Sequence, residues 1–256
     1  MTTGDAGFTI LCEVEPATRP DLSRVRRQVV AFEGVTSSFL IPDNHLGRAT
    51  VSSIAVAHEV ALLGGRAVAC VNSRDRNLLG FRRDLLTACA YGVSDFLFVR
   101  GDDPASGAAR SGDLTVRRMI DETREFEGMQ CRIGATVRAG QPIPEWKKSA
   151  DFLLVQASFD VARLLAWRES VDYDGDLLAG VLVLASRKMA NRLVETVTDI
   201  ELPTELVDHL DDDPDAGVDF AVDMVRGLQN EITSGFAGAH LVPVGRYRQV
   251  ADRLRA

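Results

Sequence analysis

Short apolar runs alternate along this chain with longer amphipathic ones, and most change-overs are marked by Gly, Pro or a charge. The runs 8–14, 35–41, 67–72, 96–99, 131–137, 151–156, 178–184 and 239–244 are rich in Val, Leu, Ile, Ala and Phe. Runs this short with no polar face read as strands covered on both sides, the habit of a parallel sheet. Helical spacing predicts helices over 20–31, 49–63, 78–91, 113–126, 160–169, 186–197, 214–232 and 246–254. Punctuation supports several of them: Pro20 in a first turn, Gly64 and Gly92 just beyond an end, and Asp113 as an N-cap. The crossover 138–148 carries Pro142 and Pro144 and is expected to be irregular.

Eight strands alternating with eight or more helices over 256 residues predict an α/β protein of the (β/α)8 TIM-barrel class rather than an open doubly wound sheet. No GxGxxG follows any strand, which weakens a Rossmann reading. No linker, repeat or low-complexity segment divides the chain, so residues 1–256 are expected to form one barrel domain.

Composition narrows the partners. The net charge is −8, with acids and bases interspersed apart from Asp211-Asp212-Asp213, which disfavours nucleic acid and anionic membrane. Four cysteines lack CxxC spacing, and Cys12, Cys70 and Cys131 fall in strand runs, as buried reduced thiols of a cytosolic protein would. The first residues lack a basic, then apolar, signal pattern, and no window approaches the roughly 18 apolar residues of a membrane span. A soluble, cytoplasmic protein is expected; its oligomeric state is not written in the sequence.

In such a barrel the chemistry sits at the C-terminal ends of the strands. The run Phe96 to Val99 ends there in Arg100-Gly101-Asp102-Asp103-Pro104, which makes Asp102 a site candidate; the alternative is a surface turn in which Arg100 and Asp102 pair. Other polar residues at strand ends are Glu13, Glu15, Asp43, Asn44, Asn72, Thr136, Arg138, Gln156, Ser186 and Arg187. Glu13, Asp102 and Gln156, two acids and an amide from strands one, four and six, suit acid–base and hydrogen-bond chemistry. No metal site is expected: HExxH is absent, His45 and His58 are isolated, and His240 is expected to pack in or beside strand eight. GxSxG and a mid-strand lysine for Schiff-base chemistry are also absent.

Four segments together resemble the methylenetetrahydrofolate reductase family. Leu11-Cys12-Glu13-Val14-Glu15-Pro16 resembles its FEFFPP, Val99-Arg100-Gly101-Asp102-Asp103-Pro104 its LRGDxP, and Gln156-Ala157-Ser158-Phe159-Asp160 its QFFFD. Ala179-Gly180-Val181-Leu182 resembles PGILP, and 219–225 the helix before the last strand. The resemblance places Glu13 on the catalytic glutamate, Asp102 on the aspartate beside the pterin, Gln156 on the pterin-binding glutamine and Phe159 on a motif aromatic.

The chain also departs from that family. Where flavin-binding members carry TYG, PHLTC and YPExHP, it reads Ile41-Pro42-Asp43-Asn44, Ala67-Val68-Ala69-Cys70 and Thr136-Val137-Arg138-Ala139; Arg187 replaces an aromatic. The resemblance therefore implies a reductase of one-carbon metabolism that passes hydride directly from NADH or NADPH to the folate, with FAD not expected. Glu13, beside Cys12 and Val14, is in the setting in which a carboxyl acts as general acid near neutral pH. Asn44, Asn72 and Arg187 are the candidates for holding the nicotinamide cofactor, and Glu59, near Val56, Val60 and Leu63, is a further catalytic candidate. Two alternatives stay open: the same reaction with FAD or a deazaflavin, and a catalytically silent folate-binding barrel.

Overall fold

The computed structural model describes residues 7–15, 17–102, 111–128, 130–197, 200–230 and 235–256. Pro16, Asp103 and Pro104 of the motifs, and Ile232 of the helix expected over 214–232, lie outside them. Eight parallel strands form a closed barrel: β1 (Thr9–Glu13), β2 (Ser38–Ile41), β3 (Arg66–Asn72), β4 (Asp95–Val99), β5 (Arg132–Val137), β6 (Phe152–Val155), β7 (Asp176–Leu182) and β8 (Gly238–Val242). Each strand bonds the next, and β8 closes on β1 with Leu11 opposite His240. Around them run α1 (Ser23–Ala31), α2 (Ser53–Leu62), α3 (Leu78–Ala90), α4 (Val116–Arg124), α5 (Val161–Ser170), α6 (Arg187–Thr196), α7 (Thr204–His209), α8 (Ala216–Asn230) and α9 (Tyr247–Arg255).

The unbroken apolar runs have a direct explanation. Alternate residues of a strand face opposite ways, and in a barrel both ways are covered. Leu11, Leu40, Val68, Leu97, Leu154 and Leu178 fill the interior, while Cys12, Phe39, Ala69, Phe96, Leu153 and Ala179 pack beneath the helices. The interior is narrow enough to dictate a glycine: a Cβ at Gly134 would lie 2.2 Å from the Phe152 ring.

Local differences from the sequence reading have local causes. Thr115, not Asp113, caps α4, its hydroxyl accepting the Arg118 N–H at 3.2 Å. Asp113 instead accepts the Leu78 N–H and the Ser111 hydroxyl, tying α3 to the loop before α4. The first long helix starts at Ser23 rather than Pro20, because Asp21 takes up both the N–H and the hydroxyl of Ser23 ahead of it. β8 ends at Val242, and Val244 beyond it has left-handed backbone, φ 47°. α7 was not foreseen; it lies between two predicted helices. Among the described residues, no helix is long and apolar enough to cross a membrane.

Candidate active site

Glu13 ends β1 on the inward-facing register of Leu11, so its carboxylate enters the mouth of the barrel. Cys12 and Val14, its neighbours in sequence, face the opposite way into the layer under the helices. The surroundings of Glu13 therefore come from other strands. His240 of β8 is the principal one: its Nε2 lies 3.2 Å from Glu13 Oε2, with the two side chains 14% and 17% exposed. The contact lacks hydrogen-bond alignment, and Nε2 is enclosed with no hydrogen-bond partner. Cys70 on β3 lines the same interior; burial pushes its thiol well above the usual range, and the carboxylates of Glu13 and then Asp43 push it further.

A buried polar net closes the ends of β2 and β3. Asp43, its side chain 3% exposed, accepts through one oxygen from the Asn72 N–H (3.0 Å), the Asn72 amide (2.7 Å) and Arg76 (2.6 Å). Arg76 reaches on to Asp84 at 2.7 Å, and Asn72 Oδ1 accepts the Asp75 N–H at 2.9 Å. Asn44 donates to Asp75 at 2.9 Å and exchanges backbone and side-chain bonds with Thr50. Asn72 and Asn44, which the sequence offered for a cofactor, are thus spent on shaping loops.

Asp102 follows Gly101, whose φ of +89° and close approach to Asn72, 2.9 Å from a notional Cβ, admit only glycine without strain. The Asp102 side chain stands at the exposed rim and accepts the Leu46 N–H at 2.9 Å; it forms no pair with Arg100. Gln156, just past β6, is exposed and accepts from Arg138 Nε at 3.0 Å. Gly180 on β7 lets that strand end approach, since a Cβ there would meet the Val155 carbonyl at 2.4 Å. Glu13, Asp102 and Gln156 share this end of the barrel, and no direct bond links any two of them.

Two candidates stand elsewhere, and a third is buried beside Gln156. Glu59 binds Arg26 at 2.6 Å, joining α2 to α1 in the outer ring rather than reaching the mouth. Arg187, the first residue of α6, is held by Asp211 at 2.5 Å and Asp208 at 3.3 Å, acids brought over by α7 and the turn after it. Phe159 is buried in a cluster with Leu184, Ala190 and Leu206, its ring 6.2 Å from that of Phe220, and it helps to wall a cavity of about 290 Å³ that Gln156 and Arg138 also line. Glu15 pairs with Arg24, and its N–H is held by Gln28 at 2.8 Å and the Tyr247 hydroxyl at 2.9 Å.

The sequence reading missed a basic cleft of about 590 Å³ between the ends of β4 and β5 and the start of α4, lined by Arg74, Arg100, Arg117, Trp146 and Lys147 among others. Arg74 is only 6% exposed; it grips Asp75 through two nitrogens, and its Nη1 has no partner. Lys147 donates to the Thr136 carbonyl at 2.6 Å, and burial draws its ammonium below the usual lysine range. In sequence these cations look like ordinary surface charges, because separate segments after β3, β4 and β5 contribute them. Among the described residues no group of three or more His, Cys, Asp and Glu is placed to hold a metal.

The family model for methylenetetrahydrofolate reductase matches residues 145–252, a stretch that contains Gln156, Phe159 and His240. This bears out the resemblance over the second half of the barrel; the Glu13 and Asp102 motifs lie outside the matched stretch. No curated protein matches the chain. Among solved structures, an uncharacterized protein from Clostridium thermocellum that binds two copies of 5-methyl-5,6,7,8-tetrahydrofolic acid is similar over 97% of this chain and 94% of its own, at 10% identity and a TM-score of 0.67. The spore cortex-lytic enzyme SleL of Bacillus cereus (10% identity, 97% and 74% covered, TM-score 0.58) and DmoA of Hyphomicrobium sulfonivorans (9%, 96% and 86%, 0.51) are also similar. At such identities these likenesses establish the fold.

Proposed function

We propose that this barrel, whose residues 145–252 match the methylenetetrahydrofolate reductase family, reduces 5,10-methylenetetrahydrofolate to 5-methyltetrahydrofolate with hydride taken directly from NADH or NADPH. One observation carries the reading. The acids nearest along the rim, Glu15, Asp43 and Asp75, are each held by an arginine, whereas Glu13 and Asp102 are not. Two carboxyl groups at the mouth of the barrel are left without an arginine partner among the described residues.

The substrate's methylene carbon bridges N5 and N10. Glu13, as general acid, gives its proton to N10, the N10–carbon bond breaks, and a 5-iminium cation forms. Asp102, ionised at the rim, stabilises the positive charge as it develops. The iminium carbon accepts hydride from the reduced nicotinamide and becomes the methyl group. Gln156 reads the pterin edge through its amide. The folate takes up one hydride from the nicotinamide and one proton from Glu13, and Glu13 is left as a carboxylate.

Two features support direct transfer without a bound flavin. At the ends of β2 and β3, where flavin-binding relatives present cofactor contacts, Asp43, Asn72 and Arg76 bond one another. The basic cleft of Arg74, Arg100, Arg117 and Lys147 suits the phosphates of a dinucleotide.

Absorbance of the purified protein, followed by NADH and NADPH oxidation with methylenetetrahydrofolate, tests the proposal. A colourless protein that oxidises one of them only in the presence of the folate is expected. Flavin bands that survive gel filtration at near-stoichiometric occupancy overturn the flavin-free part. Folate binding without turnover overturns the reductase and leaves a silent folate-binding barrel.

A further inference from the structure

We propose that His240 is a positioning residue that returns a proton to Glu13 after each turnover; this rests on the reading of Glu13 as general acid. The described histidines differ in how they are used. His58 rests its Nδ1 on the Tyr91 carbonyl at 3.1 Å and stacks on that ring, and His209 bonds the Glu205 carbonyl at 2.7 Å. Those are structural arrangements. His240 points into the barrel with Nε2 enclosed, free of any hydrogen bond, and 3.2 Å from Glu13 Oε2. A buried ring nitrogen without a partner is costly to keep, and a place where a proton is delivered accounts for it.

The chemistry requires that Glu13 regain a proton before the next turnover. Each turnover leaves Glu13 as a carboxylate facing an interior built from Leu11, Leu40, Leu154 and Leu178, with His240 Nε2 at 3.2 Å. In the return step the His240 Nε2–H bond breaks and a Glu13 O–H bond forms, with no change of oxidation state. The imidazole then takes a proton from solvent, to which its side chain is 14% exposed. The other groups around the pair do not compete. On β7 the residue opposite His240 is Gly180, on β1 it is Leu11, and neither titrates. Cys70 on β3 and Tyr247 of α9 are both pushed up by burial and by nearby acids, Glu13 among them, so they keep their protons. Asp43 is committed to Asn72 and Arg76.

Stopped-flow kinetics of His240→Gln, equilibrated in mildly acidic buffer and mixed with both substrates near pH 7.5, tests the proposal. The expected result is a burst: a first turnover close to wild type, then steady-state turnover slower by about 10- to 100-fold, with the folate KM changed by less than about twofold. A purely structural role slows first and later turnovers alike, and that result, or a normal steady state, overturns the proposal. Wild-type protein that does not turn over at all overturns the reductase reading instead, and the proton return with it. If His240→Gln does not fold, ring 15N spectra of wild type and Glu13→Gln decide: the His240 signals move while those of His45, His58 and His209 stay. Unmoved His240 signals overturn the pairing.

Discussion

Asp102 accepts the backbone N–H of Leu46 at 2.9 Å, so the carboxylate assigned to the pterin also latches the turn after β2 to the end of β4. Leu46 has a left-handed backbone, φ 55°, which a branched side chain adopts at a cost, and the latch helps to hold it. Asp102→Asn keeps an oxygen to accept the Leu46 N–H and loses the charge. It is expected to fold normally and to lose about 2 to 4 kcal/mol of transition-state stabilisation, read as kcat/KM. Asp102→Ala loses the latch too, so hydrogen exchange at residues 45–47 should rise in the alanine variant and not in the asparagine one. Equal kinetics in Asp102→Asn and wild type would return Asp102 to a loop-holding role alone.

The net at β2 and β3 makes a prediction about stability. Asp43→Ala leaves Arg76, 13% exposed, with Asp84 as its remaining carboxylate and strips two bonds from Asn72. Removing one partner of a buried pair costs about 3 to 5 kcal/mol, and urea unfolding should show a loss of that order. A loss below about 1 kcal/mol would mean that water replaces the carboxylate and the net is not closed.

The strands were legible because both of their faces are apolar, and the placement of Glu13, Asp102 and Gln156 at one end of the barrel was legible because each lies at or just past the end of such a run. The contact of Glu13 with His240 was not, since it exists only once β8 closes on β1. Glu59 misled for a physical reason: Val56 and Val60 mark the buried face of α2, while Glu59 turns toward Arg26 on α1. Arg187 does stand just past a strand end, yet the acids that claim it, Asp208 and Asp211, arrive from a helix the periodicity did not reveal. Asn72 reads as a free amide at a rim until Asp43 comes from the next strand to fill its bonds.

Alkaline pH should weaken the fold through its buried thiols. Burial raises Cys12 and Cys70 well above the usual value of 9.0, with Glu13 adding to both and Asp43 to Cys70. The native state then holds protons that the unfolded chain releases. Their stabilisation is complete below pH 9.0 and is lost as pH rises through the raised values. Thermal unfolding followed between about pH 8 and pH 10.5 should show a steeper fall for wild type than for Cys70→Ala, whatever the cavity costs at neutral pH. Parallel curves would remove Cys70 from the account.

Glu13→Gln is the sharpest probe of the chemistry, because it removes an ionisable proton and keeps the volume. The glutamine amide can still lie against His240 and makes no demand on Cys12 or Val14, which face away, so circular dichroism and melting temperature should stay near wild type. If Glu13 opens the folate ring by protonating N10, hydride transfer falls by roughly two to four orders of magnitude, the range of a general acid. The dissociation constant for NADH should change little, since the proposal puts the glutamate on the folate side and the basic cleft lies between β4 and β5. Single-turnover oxidation of NADH, followed by absorbance, separates the two effects. Near-normal turnover in Glu13→Gln, or a loss that tracks unfolding, would move the proton donor to another group.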